Sequence, residues 1–98
     1  MLARVAKWEG GDADAIRAAS EDIASRAQTG PPQGVPAVGF TLLVDPDGGR
    51  AIAISLFKTE DDLSAGDAVL NEMTPRGEGM GERASVDVYE VAVDLRLE

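Results

Sequence analysis

Two apolar runs, residues 37–44 (Ala-Val-Gly-Phe-Thr-Leu-Leu-Val) and 51–57 (Ala-Ile-Ala-Ile-Ser-Leu-Phe), flank the stretch Asp45-Pro46-Asp47-Gly48-Gly49-Arg50. Turn-forming residues between two β-prone runs specify a hairpin. Neither run alternates apolar with polar. With Val38, Phe40, Leu42 and Val44 assigned to one face, and Leu43, Ala51, Ala53 and Phe57 to the other, both faces are apolar. A hairpin with one face in water would alternate. This pair therefore requires cover on both sides.

The remaining elements follow from local chemistry. Residues 2–8 read as a strand that Gly10-Gly11 breaks. Asp12 can cap a helix on which Ile16, Ala19, Ile23 and Ala27 recur on one face. Arg17/Glu21 and Asp22/Arg26 are spaced to pair on its wet side. Thr29-Gly30-Pro31-Pro32 ends that helix, and 30–36 is a loop. Thr59 opens a second helix, with Asp62 near the capping-box position and Glu60, Asp61 and Asp62 against the positive dipole end. Its buried face is Leu63, Gly66, Leu70 and Met73, and Pro75 stops it. Residues 76–83 read as a flexible loop and 84–97 as one long strand. In that strand Val86 and Val88 alternate in one phase, while Tyr89, Val91, Val93, Leu95 and Leu97 alternate in the other. The switch between 88 and 89 predicts a β-bulge.

The order strand, helix, strand, strand, helix, strand is the split βαβ, or ferredoxin-like, unit. The expected fold class is α+β: a βαββαβ chain forming an antiparallel four-stranded sheet with two helices on one face. Residues 1–98 form a single domain. The helix-free face would be apolar and bare, and a second copy related by a two-fold axis is its simplest cover. The expected assembly is thus a homodimer through that face, with the long last strand able to reach the partner.

Composition removes several function classes. The chain has no histidine and no cysteine, hence no disulfide, no thiol chemistry and neither of two common metal ligands. No metal and no cofactor is expected. Residues 1–58 carry six basic and seven acidic side chains, and residues 59–98 carry three and eleven. That acidic half would repel nucleic acid. No apolar run is long enough to span a bilayer, and Met1-Leu2-Ala3-Arg4-Val5 enters a strand without the pattern of a signal peptide. The expectation is a cytoplasmic protein that avoids nucleic acid and membrane. The Gly77-x-Gly79-x-Gly81 spacing is not a nucleotide loop, because it follows a helix, leads to a strand and carries Glu78 and Glu82. The triplet at 60–62 is explained by helix-start charge rather than by a bound cation.

The run Phe57-Lys58-Thr59-Glu60-Asp61-Asp62-Leu63, leading into Leu70-Asn71-Glu72-Met73, and the ending Val88-Tyr89-Glu90-Val91 resemble the dimeric α/β-barrel superfamily. The resemblance is to small proteins similar to antibiotic-biosynthesis monooxygenases. It implies two sheets packed face to face as a barrel, with a pocket between sheet and helices. Relatives include cofactor-free oxygenases of aromatic polyketides, heme-degrading enzymes and proteins with no known activity. The chain departs from the heme degraders in lacking the iron-holding histidine. Many relatives carry a histidine on the second helix, where this chain has Ala65-Gly66-Asp67-Ala68. The Asn, Trp and Arg set of the polyketide oxygenases does not map onto it residue by residue.

Four residues could orient an aromatic ligand: Trp8, Asn71, Tyr89 and Arg4. Trp8 could stack on a ring, although burial habits favour a core or interface aromatic at a strand end. Asn71 could donate to a carbonyl, or simply be a solvated helix residue. Tyr89, at the expected bulge, could be aimed into a site or lie in the dimer interface. Arg4 could bind a carboxylate or pair with an acidic neighbour. Two readings stand. In one, the protein binds a small apolar or aromatic metabolite, or oxidises it without a cofactor. In the other, it is a non-catalytic homodimer that binds a ligand or partner.

Overall fold

The computed structural model describes residues 1–28, 30, 34–72 and 81–95. Six elements run in the order β1 (Leu2–Glu9), α1 (Ala13–Ala27), β2 (Gly39–Asp45), β3 (Arg50–Phe57), α2 (Glu60–Glu72) and β4 (Glu82–Glu90). The strands form one antiparallel sheet of order β2-β3-β1-β4. This is the ferredoxin-like arrangement, with first and last strands side by side.

The caps act as their chemistry requires. The Asp12 carboxylate accepts from the Ala15 N–H at 3.1 Å, and the Thr59 hydroxyl accepts from the Asp62 N–H at 3.1 Å. Each satisfies a backbone donor that the first helical turn leaves over. Arg26 pairs with Asp22 at 3.2 Å, as the four-residue spacing predicts, whereas Arg17 turns away from Glu21 to Asp47 in the hairpin turn, at 3.8 Å. In that turn Asp45 accepts from the Gly48 N–H and from Arg50 Nε, at 3.1 and 2.8 Å. Gly49 takes φ 69° there. A Cβ on it would stand 2.7 Å from the Gly11 carbonyl oxygen, so the position requires glycine.

Cross-strand partners share a face, so the register sorts the side chains. Arg4 lies between Ser55 and Val88, Leu42 faces Ala53, and Val44 faces Ala51. Leu2, Arg4, Ala6 and Trp8 therefore share the helix-covered face with Phe40, Leu42, Val44, Ala51, Ala53, Ser55 and Phe57. This corrects the expected partition: Ala51, Ala53 and Phe57 lie on the same side as Phe40, not opposite it. The helix-free face carries Ala3, Val5, Leu43, Ile52, Ile54, Leu56 and Tyr89 together with Lys7, Thr41, Ser85 and Asp87, so its apolar patch is interrupted by polar residues and differs in membership from the expected one.

Both helices pack on one face. Ile16 of α1 is fully buried against Ala51 and Ala19. Gly66 of α2 meets the Phe57 ring so closely that a Cβ would stand 2.5 Å from Cε1. Phe57 is completely buried. Among the described residues no helix is long and apolar enough to cross a membrane.

The last strand differs from expectation at both ends. It spans 82–90 rather than 84–97: the ladder with β1 ends at Leu2↔Glu90, followed by the Val91 N–H donating to the Met1 carbonyl at 2.9 Å. No bulge separates 88 from 89: the register is continuous from Lys7↔Ser85 to Leu2↔Glu90. The irregularity falls between Lys7 and Trp8, where Trp8 pairs with Arg83 and Ala84 is the extra residue. The expected roles of Met73, Pro75, Gly77, Gly79 and Leu97 lie outside the described residues.

Candidate functional site

Three of the four residues picked from sequence reach the helix-covered face, and two of them meet. Arg4, on central strand β1, is only 5% exposed. Its Nε donates to Asp67 Oδ1 at 2.7 Å, and its NH2 donates to Asn71 Oδ1 at 3.1 Å. Asn71 Nδ2 donates to Asp67 Oδ2 at 3.2 Å, and Arg83 NH1 donates to Asn71 Oδ1 at 2.8 Å. Asp67 and Asn71 sit four apart on α2, one turn presenting both to the sheet. The result is a network tying β1, α2 and β4 together. Trp8 is buried on the same face, and its indole Nε1 has no hydrogen-bond partner among the described residues. Tyr89 is the outlier: it projects from the helix-free face, 55% exposed.

Sequence reasoning missed Asp67 and Arg83. The four-residue spacing of Asp67 and Asn71, directly after Gly66, is the signal that could have exposed the first. Arg83 was hidden by the expectation of a loop over 76–83.

The open volume lies elsewhere on this face. Between α1 and edge strand β2 runs a groove of about 440 Å³. Its floor is Phe40, Leu42 and Val44, and its α1 wall is Ile23 and Ala24, with Ser20 and Glu21 supplying its polar atoms. The groove exists because α1 presents a narrow apolar stripe. Ile16 fills the space over Ala51, while Ala24 leaves space over Phe40, which stays 46% exposed. Among the described residues no group of three or more Asp, Glu, His or Cys could hold a metal ion.

No protein-family model matches the chain, and no curated protein matches it. A solved structure does: MhuD of Mycobacterium tuberculosis, a heme degrader with two hemes bound in its active site, superposes with a TM-score of 0.66. The two share a fold. The alignment covers 98% of this chain and 100% of that one, at 20% identity. MhuD thus has the βαββαβ arrangement described above, as the resemblance to the antibiotic-monooxygenase-like proteins implied.

Proposed function

We propose that this protein is a homodimer that holds a small apolar or aromatic molecule in the groove between α1 and β2. The observation that carries the reading is the groove itself, whose floor and inner wall are aliphatic and aromatic. Apolar concavities with a few polar groups at the rim are the usual form of small-molecule sites.

The dimer has its own support. The helix-free face exposes Leu43 and Tyr89, with Ile52, Ile54 and Leu56 half-buried beside them.

Heme, the ligand of MhuD, does not fit. The chain has no histidine or cysteine to ligate iron, and its single tyrosine points from the opposite face. Binding without oxidation is the form the geometry favours. A cofactor-free oxygenase needs a donor or base at the substrate. Arg4 and Asn71 are engaged with Asp67 on the β1 side, two strand spacings, roughly 10 Å, from Phe40.

The test is titration with the fluorescent probe 1-anilinonaphthalene-8-sulfonate, alongside native mass spectrometry of the purified protein. Saturable binding of one probe per protomer, abolished by Ala24→Trp in a folded variant, is the expected result. Binding unaffected by Ala24→Trp would place the ligand elsewhere and overturn the groove reading.

A further inference from the structure

Among the described residues, Ser20 and Glu21 are the polar side chains that line the groove between α1 and β2, and the rest of the lining is apolar. Toward a ligand both offer acceptors. The Ser20 hydroxyl donates to the Arg17 carbonyl at 2.8 Å, so its hydrogen is spent and its oxygen has only lone pairs left. An ionised Glu21 accepts and does not donate. Glu21 also lacks the cation that its spacing predicts. Arg17, four residues before it, lies 3.8 Å from Asp47 in the hairpin turn instead. The other arginines of α1 and that turn are likewise committed, Arg26 to Asp22 at 3.2 Å and Arg50 to Asp45 at 2.8 Å. Among the described residues Glu21 has no ion pair, and no lysine or arginine lines the groove. The charge left over at this wall is negative. On the floor, Phe40 is 46% exposed, and the face of an aromatic ring attracts a cation.

We infer that the groove selects an apolar amine: a small molecule whose hydrocarbon body lies on Phe40, Leu42 and Val44 and whose ammonium group sits at Ser20 and Glu21. The inference rests on the groove reading proposed above and adds to it the charge of the occupant. An alkylammonium carries donors and no acceptor, the complement of this rim. A carboxylate on the same body would meet acceptors alone, and Glu21 would repel it. The size agrees, since about 440 Å³ lies within the range of small-molecule sites. Because β2 is an edge strand, the groove is open to water along its outer side. An anionic probe such as anilinonaphthalene sulfonate can therefore seat its rings and leave its sulfonate in water, at lower affinity than an amine of the same body.

Three probes built on one naphthylmethyl body separate charge from shape: 1-naphthylmethylamine, 1-naphthylmethanol and 1-naphthylacetate. Each is titrated at neutral pH while backbone amide shifts are followed by NMR. The amine and the alcohol should perturb residues 20–24 and 40–44. The amine is expected to bind about fivefold more tightly than the alcohol, the scale of one exposed ion pair with a cation–π contact, and the acetate more weakly than either. Glu21→Gln should remove the amine's advantage while leaving the alcohol's affinity unchanged. Asp61→Asn, which removes the same charge from the first turn of α2, should leave that advantage in place. Equal binding of amine and alcohol at these residues, or an advantage that Asp61→Asn removes as fully as Glu21→Gln, would overturn the amine assignment and leave the groove standing as a site. No shifts at residues 20–24 and 40–44 with any of the three probes would overturn the groove reading and the inference with it.

Discussion

Arg4 Nε and Asp67 Oδ1, 2.7 Å apart, join the middle of the sheet to the helix above it. The guanidinium is buried, while the Asp67 side chain is 38% exposed. A charge buried this deeply needs its partner more than the partner needs it.

Asp67→Ala should therefore destabilise the fold by about 2–3 kcal/mol, below the full value for a buried pair because Asp67 is partly solvated. Urea unfolding should show a lower midpoint at unchanged slope. Replacing both partners, Arg4→Met with Asp67→Leu, should recover most of the loss. A double variant no better than the single one would show that the pair does more than neutralise its own burial.

Gly66→Ala would ordinarily favour a helix. Here the added methyl would stand 2.5 Å from the fully buried Phe57 ring. Overpacking of this kind costs roughly 1–3 kcal/mol, more than the ~1 kcal/mol gained from helix propensity. Thermal unfolding of the variant should show a net loss. A rise in melting temperature would mean that Phe57 has room to move.

The Arg50 side chain, hydrogen-bonded to Asp45, holds that carboxyl below its ordinary value of 3.8, with the Gly48 N–H assisting. A depressed carboxylate pKa contributes stability at neutral pH, and that contribution fades as the pH falls through the folded value, below 3.8. Arg50→Ala should move the Asp45 titration upward in a carbon-detected NMR experiment. An unchanged titration would leave the Gly48 N–H as the principal cause.

Ile54 lies on β3 between Val5 and Thr41, in the middle of the helix-free face. Ile54→Lys should yield a monomer by light scattering, with far-ultraviolet circular dichroism unchanged. A persistent dimer would move the interface off this face.

The elements whose determinants are local could be read from the sequence. Asp12, Thr59 and the Asp45–Arg50 turn each act within a few residues, so both helix starts and the hairpin fall close to where chemistry puts them. The end of β4 could not be read that way, because it is set by where β1 begins. Val91, Val93 and Leu95 have the pattern of a strand, yet none of the described strands extends alongside them. The faces of β3 likewise depend on its register with β2, which the residue pattern of two uniformly apolar runs leaves open. Arg4 and Asn71 were visible as chemically capable residues. Their engagement with Asp67, across most of the chain, is tertiary and left no trace in spacing except within α2.

The pairing of β1 with β4 has a consequence for biosynthesis. β1 sits in the interior of the sheet and waits for β4, which is synthesised after the other strands described, since Leu2 pairs with Glu90. A ribosome releasing this chain from its N-terminus can complete the β2–β3 hairpin early, but one edge of β1 remains open until residue 90 has cleared the exit tunnel. Such long-range closure is slow. During that interval the nascent chain displays an apolar strand with a free edge, and it is then that a chaperone would have most to hold.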